Sequence, residues 1–132
     1  MHDNMTLAEL EDNFSFFEGW EDKYAYIIDL GKKIDGVEEV YKIDTYKVQG
    51  CTSNVWLVAK MDGDIITFKA DSDAMIVRGL IAILMIAYNG KSRDEVQAIN
   101  ISEFFEAVGL DQHLSPNRRN GFFSIVERIK NL

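Results

Sequence analysis

The chain has 132 residues, of which 47% are hydrophobic and 11% aromatic, a composition that excludes an intrinsically disordered protein. Acidic residues outnumber basic ones by 22 to 14, and the net charge of −8 disfavours binding to nucleic acids or anionic membranes. The single cysteine, Cys51, excludes an internal disulfide and any metal or cluster site that needs several thiolates. We therefore expect one domain over residues 1–132, located in the cytoplasm.

Two helices are predicted in the first third of the chain. Thr6 and Glu9 have the spacing of a capping box, and apolar residues follow at helical intervals. Gly19 ends this first helix. A second helix begins near Trp20 and ends between residues 31 and 34, after which the chain is expected to form a loop up to residue 41.

The middle of the chain has the two-residue period of β-strands. One strand is predicted over residues 55–60, where Val55, Leu57 and Ala59 alternate with Trp56, Val58 and Lys60. Asp62-Gly63 is a hairpin signal before a return strand over Ile65–Ala70. Tyr46–Val48 is predicted as a third strand before the loop that carries Cys51. These segments predict a three-stranded antiparallel meander.

A long apolar helix is predicted from Asp73 to Tyr88, and it should be the central helix because it is apolar nearly all round. It is shorter than the ~20 residues that a membrane span needs. Asp71, Ser72 and Asp73 are candidate caps for its first turn.

Three shorter helical segments follow. Ser92 with Glu95 opens the first, Ser102–Val108 forms the second, and Ser115-Pro116 begins the last. We expect Phe122, Ile125, Val126 and Ile129 to form the buried stripe of this last helix. Helices on both sides of a small antiparallel sheet predict an α+β fold.

Cys51 lies in a short loop between two predicted strands, directly after Gly50, which allows the backbone to bend there. If the chain stays extended after this bend, Cys51, Ser53 and Val55 point the same way, and Ser53 could donate a hydrogen bond to a thiolate. From local context alone, a lone cysteine such as Cys51 is usually an inert buried residue. A redox thiol or a pair with His113 is weaker, and a metal site with His2 and His113 has no supporting spacing.

Four stretches in order along the chain carry a known family pattern. They are G-C-x-S-x-V-W over Gly50–Trp56, D-S-D-A-x-I-V-R-G-L-I-A over Asp71–Ala82, Q-H-L-S-P-x-R over Gln112–Arg118, and a match over Trp20–Gly31. Together they resemble the SufE family of sulfur-acceptor proteins. One motif alone would be weak, but four in register over most of the chain make an inert cysteine a poor interpretation.

The resemblance implies an α+β fold similar to that of the IscU cluster scaffold. It also implies that the protein accepts sulfur from, and activates, a pyridoxal-phosphate-dependent cysteine desulfurase of the SufS-like or CsdA-like kind, for delivery to an iron–sulfur scaffold complex. The cofactor belongs to the desulfurase, so no cofactor is expected in this chain. Cys51 would carry the sulfur as a persulfide, which makes the protein a carrier and not an independent enzyme.

The resemblance also implies supporting roles for Gly50, Ser53, Asp73 and Arg118. Asp73 would lie near the active loop and control its mobility, and Arg118 would contact the desulfurase or stabilise sulfur anions. Arg119 departs from the small or polar residue expected there, so either arginine could point inward.

Other motif residues have structural interpretations, in which Trp56 belongs to the core and His113 makes a structural hydrogen bond. Two other kinds of function stay open: an adaptor or scaffold that binds a desulfurase without carrying sulfur, and an independent cysteine enzyme. We expect Cys51 to pack toward an apolar pocket in the free protein and to swing out on docking.

Overall fold

The computed structural model describes residues 5–132, which form seven α-helices and a three-stranded antiparallel sheet. The helices are α1 (Leu7–Ser15), α2 (Trp20–Lys32), α3 (Met75–Tyr88), α4 (Arg93–Ala98), α5 (Ile101–Ala107), α6 (Leu110–His113) and α7 (Pro116–Lys130). The strands are β1 (Val55–Asp62), β2 (Ile65–Ser72) and β3 (Lys91–Ser92). The predicted α+β class is confirmed. None of the helices in residues 5–132 has the length and apolar character needed to cross a bilayer.

Three helices begin where capping residues were predicted. The capping boxes at Thr6 and Ser92 are both formed, and the Ser115 hydroxyl accepts a hydrogen bond from the Arg118 amide with Pro116 in the first turn of α7. The predicted apolar stripe of α7 is fully buried. The one-turn helix α6 was not predicted, because four residues are too few to show a helical period.

The position of the third strand was predicted wrongly. Residues Asp44–Tyr46 form a 3₁₀ turn, and Lys47 makes only an isolated bridge with Trp56. The turn before Lys47 and the bend at Gly50 after it leave too few extended residues for a ladder. The third strand is instead Lys91–Ser92, which pairs with the start of β2, so that β2 is the central strand.

The hairpin of β1 and β2 supplies one side of the hydrophobic core. Asp62 pairs with Ile65, so the two-residue loop is Gly63-Asp64, with Gly63 at a φ of 64°. Val55 and Leu57 point into the core. Helix α3 packs across this face of the sheet and is buried along most of its length.

Helices α2 and α3 approach each other so closely that glycine is required at the contact. A Cβ atom on Gly79 would clash with the backbone of Ile27, and a Cβ on Gly31 would lie 2.6 Å from the Gly79 nitrogen. Because backbone atoms form the contact, the neighbouring groups cannot rotate away. These two glycines therefore set the spacing of the helix pair.

Gly79→Ala is expected to lower the free energy of unfolding by about 2 kcal/mol, because overpacking of the α2–α3 contact outweighs the better helix propensity of alanine. Chemical denaturation measures the change. Gly19→Ala is the control, since nothing lies within 4 Å of a Cβ at Gly19, and it should cost less than about 1 kcal/mol. Equal effects of the two substitutions would contradict the close-packing argument.

Candidate functional site

The loop that carries Cys51 is bent at two places before β1 begins at Val55. Gly50 has a φ of 86°, which L side chains rarely adopt, and the backbone bends again at Thr52 and Ser53. The chain is therefore not extended after Gly50, and strand alternation is the wrong reason for placing Cys51, Ser53 and Val55 together. All three nevertheless line one pocket.

One face of α7 holds this loop in place. The Cys51 Sγ donates to the Gly121 carbonyl at 3.7 Å, and the Ser124 hydroxyl donates to the Gly50 carbonyl at 3.5 Å. One turn further on, the Arg128 guanidinium donates to the Lys47 carbonyl at 3.3 Å. All three contacts are at the long end of the hydrogen-bond range, so the loop is held by several weak contacts.

The thiol is half-buried at the edge of a pocket of about 220 Å³. The pocket has an apolar side formed by β1, α3 and α7 and a polar side formed by the Cys51 loop and the start of α7. The apolar side consists of Val55, Val77, Leu80, Phe122 and Ile125, and the polar side of Thr52, Ser53, Ser115, Asn117 and Arg118. The Cys51 Sγ atom is thus partly shielded from water, and polar side chains line the same pocket.

Burial raises the pKa of the Cys51 thiol above its ordinary value, because the charged thiolate is poorly solvated beside the apolar wall. At neutral pH the free protein therefore holds Cys51 mainly as the thiol. Because the thiolate is the nucleophile, the arrangement favours protection of the sulfur over reactivity. A better solvated thiolate would make Cys51 more reactive.

Arg118 and Arg119 point to different places. The Arg119 guanidinium donates to the Asp111 carbonyl at 2.9 Å, next to α6. Arg118 lines the Cys51 pocket, and its Nη1 atom is buried without a hydrogen-bond partner in residues 5–132. Arg118, and not Arg119, therefore lines the same pocket as Cys51.

Asp73 is joined to the Cys51 loop. Its carboxylate accepts a hydrogen bond from the Asn54 side chain at 2.9 Å, and its amide donates to the Asn54 carbonyl at 3.4 Å. It does not cap α3, whose N-cap is Ala74 without a side-chain capping bond. The contact links the start of α3 to the segment between Cys51 and β1.

Asp73→Ala is expected to increase the alkylation rate of Cys51 two- to fivefold, because losing one hydrogen bond of up to about 1 kcal/mol favours opening of the loop. Mass spectrometry after timed exposure to a neutral alkylating reagent measures the rate. Asn54→Ala removes the same contact without changing the charge and should have the same effect, and the double variant should add little. The exposed Asp62→Ala is the control; additive effects at Asn54 and Asp73 would count against a shared contact.

Asp71 is a buried ion-pair centre and not the helix cap that its position suggested. It is 4% exposed, pairs with Arg78, lies 3.4 Å from the Lys42 ammonium, and accepts from the Val37 amide at 3.2 Å. Burial alone would raise the pKa of Asp71, but hydrogen bonds from backbone amides and the two cations outweigh burial and lower it. The neighbouring Ser72 hydroxyl accepts from the Ala74 amide at 3.2 Å.

The predictions for Trp56, as a core residue, and for His113, as a hydrogen-bonding residue, were wrong. Trp56 is half-buried on the face of β1 away from the Cys51 pocket, with the Lys42 ammonium 5.5 Å from its ring centroid. His113 stacks on Trp20 with ring centroids 4.6 Å apart, and no hydrogen bond of its side chain is found in residues 5–132. It does not line the Cys51 pocket, so the arrangement does not form a Cys–His pair.

The metal-site alternative also involved His2, which lies outside the described residues. Within residues 5–132, no group of three or more His, Cys, Asp or Glu side chains is arranged to hold a metal ion.

Several residues at this site were not identified from the sequence. Gly121, Ser124 and Arg128 contact the loop from α7, and Asn54 binds Asp73. The contacts of α7 join residues some 70 to 80 positions apart, and no local pattern reports such pairs. Gly121 was the one sequence signal for the contact between α7 and the Cys51 loop, because a glycine inside a helix often marks a place where another segment packs closely.

The sequence and the fold are similar to those of known proteins. Residues 8–132 match the sequence profile of SufE, the Fe-S metabolism associated domain. An uncharacterised SufE-like protein of Rhizobium meliloti (strain 1021) is 43% identical over 129 residues, which cover 95% of this chain and 92% of that protein. An uncharacterised SufE-like protein of Rhizobium etli is also 43% identical over 129 residues, covering 95% of this chain and 87% of that protein.

The fold is also shared with a solved structure. The solution structure of a hypothetical protein from Thermus thermophilus has a TM-score of 0.75 at 17% identity, with 96% of this chain and 94% of that chain covered. At this identity the likeness establishes the fold alone. The profile match and the two relatives establish the family, and the chain belongs to the SufE family of proteins associated with iron–sulfur metabolism.

Proposed function

We propose that this protein accepts sulfur from a pyridoxal-phosphate-dependent cysteine desulfurase, activates that enzyme, and carries the sulfur as a persulfide on Cys51 for iron–sulfur cluster assembly. The observation that carries the proposal is the placement of the only cysteine in a SufE-family chain. It is half-buried on a bent loop at the edge of a pocket that is large enough for additional atoms.

The transfer is a sulfur exchange that needs no external oxidant. The Cys51 thiolate attacks the outer sulfur of the persulfide on the desulfurase cysteine. A bond forms between Cys51 Sγ and this outer sulfur, and the bond between the outer sulfur and the desulfurase cysteine breaks. The desulfurase leaves as a thiolate that takes up the proton lost by Cys51, so atoms and electrons balance.

Docking would supply the change that Cys51 needs to react. In the free protein the thiol is shielded and its pKa is raised by burial. The loop can open about Gly50 at the loss of the weak contacts with α7. We therefore expect the desulfurase to accelerate alkylation of Cys51 when its own active cysteine is blocked; an unchanged rate would contradict opening on docking.

Arg118 supports the loaded state. A persulfide is more acidic than a thiol, so the loaded Cys51 carries negative charge at neutral pH. Within residues 5–132, Arg118 is the one basic residue that lines the pocket, and its Nη1 atom has no hydrogen-bond partner there. The guanidinium would stabilise the persulfide anion and slow its loss to solvent.

The acidic charge of the chain favours a desulfurase with a basic docking surface. We expect this partner to be a SufS-like or CsdA-like enzyme in the cytoplasm. Met75 is 57% exposed in the first turn of α3, close in sequence to the Asp73 contact with the Cys51 loop. We infer that Met75 supplies an apolar contact for the desulfurase on the surface near Asn54 and Asp73. After release, the persulfide would be delivered to an iron–sulfur scaffold complex.

Single-turnover labelling tests the proposal against an adaptor and an independent enzyme. The protein is mixed with desulfurase, pyridoxal phosphate and isotopically labelled cysteine, and the mass of the Cys51 peptide is measured. One labelled sulfur on Cys51 supports the carrier. Complex formation without an adduct supports the adaptor, and turnover of a substrate without the desulfurase supports an enzyme; either result would reject the carrier.

A further inference from the structure

The Cys51 pocket has an unusual charge for this protein. The whole chain carries a net charge of −8, yet among the described residues no acidic side chain lines the pocket, and its one charged group is Arg118. Within residues 5–132 the Nη1 atom of that guanidinium is buried and has no hydrogen-bond partner. Arg118 is thus the one charge that the described part of the chain contributes to the pocket, and its unpartnered donor would gain an acceptor if the guanidinium turned toward an anionic guest.

Neutral donors lie around the same space. Hydroxyl groups come from Thr52, Ser53 and Ser115, and Asn117 adds an amide. Ser115 and Asn117 belong to the start of the 15-residue helix α7, where the helix dipole adds to the positive potential. The volume of about 220 Å³ accommodates an ion of a few heavy atoms but is small for a drug-sized ligand.

The chemistry of the neighbouring sulfur narrows the choice of anion. The outer sulfur of a persulfide accepts an electron pair from a sulfur nucleophile, and sulfite is a small oxyanion with a nucleophilic sulfur. We propose that sulfite binds in this pocket beside Arg118 and removes the outer sulfur of a Cys51 persulfide as thiosulfate. This inference rests on the proposed persulfide at Cys51 and adds a second, small-molecule acceptor at the same site.

The step balances without a further reactant. The lone pair on the sulfur of sulfite attacks the outer persulfide sulfur and forms the new S–S bond of thiosulfate. The bond between Cys51 Sγ and the outer sulfur breaks, and Cys51 leaves as a thiolate. One persulfide anion and one sulfite dianion thus give one thiolate and one thiosulfate dianion. Arg118 would orient the sulfite oxygens and offset repulsion between the two anions.

The test loads Cys51 without the desulfurase, so that it does not depend on the partner. Inorganic polysulfide adds sulfur to Cys51, and the excess reagent is then removed. Mass spectrometry confirms that the protein carries one added sulfur. Thiosulfate formation is then followed at increasing sulfite concentrations. We expect a saturating rate, competition by unreactive sulfate, and at least a tenfold lower rate at low sulfite in Arg118→Ala. The matched control, Arg119→Ala, should retain saturation, because Arg119 contacts the Asp111 carbonyl instead of the pocket.

A rate that rises linearly with sulfite and is equal in the wild type and Arg118→Ala would overturn the proposal. A second measurement uses the unloaded protein, in which sulfate should slow alkylation of Cys51 in the wild type and in Arg119→Ala. No slowing in the wild type would also overturn it. If thiosulfate formation saturates with sulfite but the desulfurase places no labelled sulfur on Cys51, only the proposed carrier function is rejected. If Cys51 is labelled but thiosulfate formation does not saturate, only the sulfite site is rejected.

Discussion

Cys51→Ser is expected to abolish both sulfur acceptance and stimulation of the desulfurase. The serine hydroxyl is not ionised near neutral pH and cannot form the S–S bond on which the exchange depends. No labelled sulfur should be found on the variant. Desulfurase turnover in its presence should equal turnover without any partner, measured as alanine formed from cysteine.

The fold and the docking surface should survive this substitution. A serine hydroxyl has nearly the same shape and can donate to the Gly121 carbonyl that the thiol contacts. The change in the free energy of unfolding should stay within about 1 kcal/mol. Titration of the desulfurase with Cys51→Ser should give nearly the wild-type dissociation constant. Stimulation by this variant at the wild-type level would favour the adaptor.

Asp71→Asn is expected to lower the free energy of unfolding by about 2–4 kcal/mol. The substitution leaves the Arg78 and Lys42 cations without their shared carboxylate at a site that is largely buried. The loss should be below the upper limit for buried pairs, because both cations retain about a quarter of their exposure and regain some hydration. Chemical denaturation at neutral pH measures the difference.

The effect of Asp71 has a defined pH dependence. The pKa of Asp71 is lower in the folded protein than in the unfolded chain, where a free aspartate titrates near ~3.9. Its stabilisation is therefore complete above pH ~4 and is lost as the pH falls through the folded-state pKa. The difference between wild type and Asp71→Asn should shrink in that acid range. The exposed Asp62→Asn should change stability by less than about 0.5 kcal/mol at neutral pH.

Local signals in the sequence predicted much of the fold. The capping residues Thr6, Ser92 and Ser115 mark helix starts because a cap depends on neighbours within three or four positions. The hairpin after Val55 was predictable from its two-residue period. The third strand was not, because Lys91–Ser92 is too short to show a period and depends on its pairing with β2.

The candidate site was predictable only in its local part. The bend at Gly50 and the position of Cys51 follow from neighbouring residues and the family pattern. The pairing of Asp71 with Arg78 and Lys42 was missed, because an acidic residue before a helix usually caps it. The choice between Arg118 and Arg119 required the direction of each side chain, which the start of α7 fixes in three dimensions.

Direct transfer from a pre-loaded desulfurase tests the central claim most sharply. The desulfurase is charged with labelled sulfur, freed of cysteine, and mixed with this protein under rapid quenching. We predict that label leaves the desulfurase cysteine and reaches the Cys51 peptide at the same rate and in equal amounts. Label that stays on the desulfurase cysteine, or that leaves it without reaching Cys51, would contradict the account.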